Sequence, residues 1–432
     1  TATVAAGQPA QQAPLPQFRG DVDQVLVDVT VVDADGRFVT GLTARDFRVY
    51  EEDRPMEISF FAFERFREAI PWAEEIPVSH EVSEAPVLPR HLVVFVDGLN
   101  TPPNDWEMVK YSLREYLQND LQANDRVLLA TLTPDRRLFV SPEFTSDTET
   151  LIAAADKIRT NPEIVSRTSS HEQTIFNILY TDPDTLVASV DVVPAGPQAQ
   201  AARLRRGVNL AQAFAGERRQ EVLFTLDAMT SLAAHLNRSF DVPGPKVMIM
   251  VSSGIAQNPG SNYFYMVSER VDQMSVSVRG EGGTEGIDPV AFRSNYAATV
   301  ERYLLRTIGR LNRLNYVLYT IGARGLKGGL GTSLKNQVRS NLSPGIRETI
   351  NRNAQDGLRM MAAGTGGLAF DNSSNFNAAF EQIDQDTSLR YVLGYRLPQR
   401  PDGQEESGKF RNIRVEVDVP GVRVRARRGY IE

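Results

Sequence analysis

HLVVFVDGLNT, residues 91–101, is the stretch on which the reading of the chain turns. Leu92–Val96 run apolar without interruption and stop at Asp97-Gly98. A run this short and continuous has the length of a strand buried on both faces, with a polar loop at its end. KVMIMVSSG (246–254) and NYVLYTIG (315–322) repeat the pattern. RVLLATLT (126–133) and the shorter RRLFVSP (136–142) add two more candidate strands.

Helical spacing fills the gaps between them. Trp106, Val109, Leu113, Tyr116 and Leu117 recur at three and four residues within 105–120. Leu223, Leu226, Met229, Leu232 and Leu236 do the same over Val222–Asn237. Further helices are expected over 147–160, Val290–Leu314, Ile350–Ala363 and Phe376–Ser388. Short apolar strands alternating with helices predict a mostly parallel, doubly wound α/β sheet. Residues 161–216 and 258–289 interrupt this plan. They are long and mixed in composition, and read as functional insertions.

Both ends of the chain carry a different period. Val25, Val27 and Val29 alternate, as do Ile413, Val415, Val417 and Val419. Asp35-Gly36, between Val31-Val32 and Phe38-Val39, marks a hairpin. Asp53-Arg54-Pro55 reads as a turn between strands Phe47–Glu51 and Glu57–Phe63. Neither end alone supplies enough strands for a stable sheet with a buried face. The two are therefore expected to pair into one β-sandwich, split between 21–66 and 389–432, with the α/β domain of 90–388 inserted between them. Residues 1–20 read as an extended tail and the Pro- and Glu-rich 67–89 as a linker.

Composition narrows the function classes. The net charge is 47 − 54 = −7, which disfavours nucleic acid as a partner. No stretch is long and apolar enough for a membrane span. The chain has no cysteine, which removes disulfides, thiolate metal sites and cysteine nucleophiles. Thr1 and the small, polar, Pro-rich residues after it read as the start of a mature chain after signal-peptide removal, hence an extracytoplasmic protein.

HLVVFVDGLNT, KVMIMVSSG, LNYVLYTIGARGL (314–326) and LRMMAAGTGGLAF (358–370) together resemble the von Willebrand factor A (vWA) superfamily. The flanking VDVTVVDADGRFVTGLTARDFRVYEEDRPMEISFF (27–61), YVLGYRL and FRNIRVEVDVPGVRVRARRGY resemble the VWFA-related domain proteins of the acidobacterial type. The resemblance implies a doubly wound vWA sheet and a bacterial, exported protein. It also implies a metal-ion-dependent adhesion site at the carboxyl ends of the strands, where carboxylate and hydroxyl oxygens hold Mg²⁺ or Ca²⁺. That pattern asks for Asp-x-Ser-x-Ser in the first loop, a Thr in the second and an Asp in the third. Here Asp97 matches, Leu99 stands in place of the first Ser, Thr101 replaces the second, and Ser253 stands where the third-loop Asp belongs. The second-loop Thr is not placed by the sequence, because the insertion 161–216 obscures it. The site is expected to be degenerate and without a cofactor, with Asp97 acting as a hydrogen-bonding cap.

Other motifs carry less. GEGGTEG (280–286) and GLKGGLG (325–331) lack the Gly-Lys-Ser/Thr ending of a phosphate loop. His80, His91, His171 and His235 show no metal-binding spacing. Asp33-Ala-Asp35-Gly36 lacks the later ligands of a calcium loop. Arg423, Arg425 and Arg427 alternate, as on a solvated strand face or one carrying cross-strand ion pairs with glutamates. Tyr263, Phe264, Tyr265 and Met266 group residue types enriched at interface cores, and are expected to meet a partner, the alternative being that they fold back onto their own domain. The expected function is a non-catalytic protein-interaction or self-assembly module of the bacterial envelope or exterior. The alternatives are a metal-dependent adhesion receptor and a hydrolase whose triad is not apparent in the sequence.

Overall fold

The computed structural model describes residues 24–67, 87–180, 197–240, 246–273, 289–325, 344–371, 375–397 and 410–431. The expected tail 1–20, nearly all of the linker, His80 and the glycine runs 280–286 and 326–331 lie outside them.

The chain opens with β1 (Gln24–Val32), β2 (Phe47–Glu51), β3 (Arg54–Met56) and β4 (Ile58–Arg65). The central part begins with β5 (Arg90–Asp97), α1 (Pro103–Asn119), β6 (Asp125–Leu132), β7 (Leu138–Val140) and α2 (Thr148–Asp156). It continues with α3 (Ile164–Tyr180), α4 (Pro197–Ser239), β8 (Lys246–Ser252), α5 (Ser261–Gln273) and α6 (Pro289–Arg313). It closes with β9 (Tyr316–Gly322), α7 (Pro344–Thr365), β10 (Ala369–Phe370) and α8 (Phe376–Asp386). The last strands are β11 (Leu389–Arg396), β12 (Phe410–Val417), β13 (Arg423–Ala426) and β14 (Gly429–Ile431).

One sheet has six strands in the order β10-β9-β8-β5-β6-β7, parallel throughout except for the edge strand β7. Its strands are apolar on both sides because both sides are covered. Val93, Phe95 and Met248 pack on one face against Met229 of α4 and Leu304 of α6. Val94, Val96 and Ile249 pack on the other against Trp106 and Leu113 of α1 and Phe380 of α8.

Two four-stranded antiparallel sheets combine both ends of the chain. Their orders are β13-β1-β11-β4 and β14-β12-β2-β3. β1 pairs with β11 and β13, and β2 with β12. Val27, Val29 and Tyr391 of one sheet share an apolar core with Phe47, Val49 and Ile413 of the other. Glu51 is buried there and accepts hydrogen bonds from Tyr395 (2.6 Å) and Tyr430 (3.1 Å).

At the first hairpin Gly36 takes φ +86°, and Asp33 Oδ1 accepts from the amides of Asp35 and Arg37, both at 2.9 Å. The second turn falls earlier than the sequence reading placed it. Glu52 and Asp53 take the left-handed conformation, at φ 49° and 61°, and Arg54-Pro55 already belong to β3. The reading of the arginine strand is also corrected. Arg425 pairs with buried Asp386 of α8, with Nη1 at 2.9 Å from Oδ2, and Arg427 donates to the carbonyl of Asn312 at 2.6 Å. Arg425 and Arg427 thus dock the antiparallel sheets onto the central unit, while Arg423 is exposed.

Arg90, the first residue of β5, anchors the same end of the parallel sheet, where it lines one small pocket with Asp386 and Arg425. It is buried and donates to Asp125 through Nε (2.9 Å) and Nη2 (2.7 Å). Its Nη1 reaches Asp384 Oδ1 at 2.9 Å and Thr387 at 2.8 Å. Arg67, just past β4, binds the same Asp384 at 2.5 Å. The network joins β5, β6, α8 and the exit of the first four strands.

Candidate functional site

β5 ends on Asp97 and β8 ends on Ser252, so the loops leaving them meet at the carboxyl edge of adjacent parallel strands. Gly98 follows Asp97 because there is no room for a side chain. A Cβ at that position would lie 2.4 Å from the carbonyl oxygen of Arg159 and 2.7 Å from that of Leu132. Asp97, Thr101 and Ser253, which the sequence places in a degenerate site, lie together here and are buried.

Asp97 is held by three neighbours. Asn100 Nδ2 donates to Oδ2 at 3.0 Å and sits 3.2 Å from Oδ1, and its backbone N–H reaches Oδ1 at 3.2 Å. Ser252 Oγ donates to Oδ2 at 2.8 Å, and Thr225 Oγ1 donates to Oδ1 at 3.2 Å. Asn100 also donates to Thr225 at 3.0 Å. Among the described residues no cation pairs with this carboxylate. Burial pushes its pKa above the ordinary carboxylate value, against the hydrogen bonds, which lower it. Ser253 is turned elsewhere. Its Oγ donates to Asp105 Oδ2 at 2.7 Å, and its backbone N–H donates to Thr101 Oγ1 at 3.2 Å.

Thr225, Asn100 and Asp105 were missed in the sequence. Thr225 sits on α4, 128 residues from Asp97, inside a helix legible only as an amphipathic repeat. Asn100 lies inside the quoted motif, at a position where the metal pattern asks for nothing. Asp105 stands in the first turn of α1, and its carboxylate was not connected to Ser253.

This donor set does not fit a divalent cation. Mg²⁺ and Ca²⁺ take six or more hard oxygen ligands, usually with more than one carboxylate. Here N–H and O–H donors already occupy the oxygens of Asp97, and the second carboxylate, Asp105, is bound to Ser253. Leu99 is buried and offers no oxygen. No group of three or more His, Asp or Glu suited to a metal ion occurs among the described residues.

The described parts of the two insertions are largely helical. α3, the first half of α4, and α5 pack around Ile175, Leu204, Val208, Ala211, Tyr263 and Phe264. The signal was present in the sequence, since Ala201, Leu204, Val208, Ala211 and Ala215 follow one another at three and four residues. Val222–Asn237, read as a separate helix, is the end of the 43-residue α4. The expected aromatic interface is corrected accordingly. Tyr263, Phe264 and Met266 are at most 1% exposed and serve as the core of this helical lobe, and Tyr265 is half-buried. A helix packing on two others must bury one face, and these residues supply it.

His171 lies in the same lobe, stacked on Phe214 at 3.8 Å between ring centroids, with Nδ1 3.4 Å from the Tyr263 hydroxyl. Burial lowers its pKa. Among the described residues no serine or threonine hydroxyl is hydrogen-bonded to a histidine.

No family model matches the chain, and no curated protein matches it. Solved structures with some likeness include an aerotolerance-related membrane protein of Bacteroides fragilis NCTC 9343, at 12% identity and a TM-score of 0.30, covering 69% of this chain and 98% of that one. BatB of Bacteroides thetaiotaomicron gives 12% identity and a TM-score of 0.28 over 69% of this chain and 97% of its own. The pilus adhesin SpaC of Lactobacillus rhamnosus GG, in its open conformation, gives 8% and 0.31 over 89% of this chain and 48% of its own.

Proposed function

We propose that the chain is a vWA-like, non-catalytic interaction module of the bacterial envelope or exterior, with its central sheet set into a β-sandwich made from both chain ends. The observation that carries this reading is the helical lobe at the carboxyl edge of the parallel sheet. Thr225 of α4 lies level with Asp97, at the end of β5. The helix extends 28 residues further toward Pro197, about 42 Å at 1.5 Å per residue. The edge where such sheets bind ligands is thus closed around Asp97, and a rigid helical surface projects beyond it. That geometry suits presentation of a surface to another protein or a second copy of the chain. The exported location rests on the family resemblance. No helix among the described residues is long and apolar enough to cross a membrane.

The surface assigned to the partner is the outer side of the lobe, where Asn177, Arg206 and Asn209 are exposed. The test is affinity capture from the native source, together with sedimentation of the purified protein, for wild type and for Asn177→Glu/Arg206→Glu/Asn209→Glu. Loss of a captured partner or of self-association at unchanged melting temperature supports the reading. Identical behaviour of both proteins rejects it. A metal-dependent receptor would instead show partner capture abolished by EDTA. A hydrolase would turn over ester or peptide substrates.

A further inference from the structure

Beside the closed loop around Asp97, the sheet runs out before its helices do. β7 is the last strand on that side, only three residues long, and leaves a groove between the sheet edge and α2. The groove encloses a cavity of about 960 Å³. This is near the top of the range of small-molecule sites, roughly 300–1,000 Å³. Leu129 and Thr131 of β6 and Trp106 of α1 line its inner side. Phe139 of β7 stands on one flank, 52% exposed although aromatic, and Ala154 and Ile158 line the other.

The charge at its mouth is unbalanced. Four charged side chains that line or border the cavity neutralise one another: Arg137 pairs with Asp135, and Glu107 with Lys110. Lys157 and Arg159 remain, both exposed, both lining the cavity and both without an ion pair among the described residues. The backbone holds them there. The Lys157 amide caps α2 on Ala154, and the carbonyl of Arg159 is pressed against Gly98.

We propose that this groove binds an amphipathic carboxylate: an aliphatic or aromatic body laid along Phe139, Ile158 and Leu129, with its anionic end at Lys157 and Arg159. Apolar walls supply most of the affinity and the two cations set the orientation, the usual division of labour in such sites. The groove adjoins the Asp97 loop but uses neither its polar side chains nor the projecting lobe, so it stands or falls independently of the proposed function.

The test uses the full chain and decanoate as the probe, followed by titration calorimetry. One-to-one saturable binding below about 1 mM is expected. Lys157→Glu/Arg159→Glu is expected to weaken it about tenfold or more, and decan-1-ol to bind about tenfold less tightly than decanoate. Ala154→Trp, which fills the cavity, is expected to abolish binding of both. If that variant fails to fold, the double charge reversal, at exposed positions, still decides the matter. Absence of saturable binding, equal affinity for the alcohol, or decanoate affinity unchanged by the charge reversal overturns the proposal.

Discussion

Replacing Arg90 by Met should be among the most damaging single substitutions in the central unit. The methionine fills much of the volume but removes the cation from between two buried carboxylates. Asp125 has a fully buried side chain and Asp384 a 6% exposed one, and both now face Arg90. After substitution only Arg67 remains near Asp384, and nothing replaces the paired bonds to Asp125 at 2.9 and 2.7 Å. Removing one partner of a buried ion pair typically costs about 3–5 kcal/mol, because the other charge is left desolvated. At roughly 2–4 °C per kcal/mol for domains of 150–250 residues, the midpoint should fall by about 6–20 °C. Calorimetry of wild type and Arg90→Met measures this. Arg48→Met is the control, because its pair with Asp418 is 59% and 46% exposed. Such an exposed pair contributes little to stability. A drop in Arg90→Met no larger than in Arg48→Met would refute the argument that this network fastens the base of the sheet.

Millimolar Mg²⁺, Mn²⁺ or Ca²⁺ should leave the melting temperature of the wild-type protein unchanged. Binding at a hundred times the dissociation constant would add about 2.7 kcal/mol, so a saturable rise that vanishes in Asp97→Ala would restore a metal site. Asp97 should make stability depend on pH in a defined direction. Its folded pKa lies above the ordinary 3.8, so the native state holds the proton more tightly. Stability should fall as pH rises from about 3.8 through the raised value and then level off, and Asp97→Asn should lack this component in urea titrations across that window. Tyr263→Ala should destabilise the lobe by about 3–5 kcal/mol through the cavity left in its core. Half-buried Tyr265→Ala should cost distinctly less. Equal losses for the two would show that Tyr263 does not anchor the packing of α3, α4 and α5.

The sequence by itself determined which segments are strands of the parallel sheet. Leu92–Val96 and Val247–Val251 are apolar at successive positions, and Val317–Ile321 at all but Thr320, as expected of a strand covered on both faces. It also determined that the ends of the chain are antiparallel strands, because alternation leaves one face to be buried. The position of Asp97 followed from the strand it terminates. The sequence also carried the three- and four-residue period of 201–215, although a mixed composition on either side of it hid the helix.

What only the tertiary structure decided depends on separation along the chain. Thr225 and Ser252 reach Asp97 across 128 and 155 residues, and no local pattern records such a meeting. The same holds for Arg425 on Asp386 and for Arg90 between Asp125 and Asp384. In each case the residue type announces only that a partner is needed. Tyr263 and Phe264 show the converse. Aromatic residues suit an interface and a core equally well, and the choice between them is made by whether α3 and α4 pack over that face of α5, a property of the assembled helices that their composition does not contain.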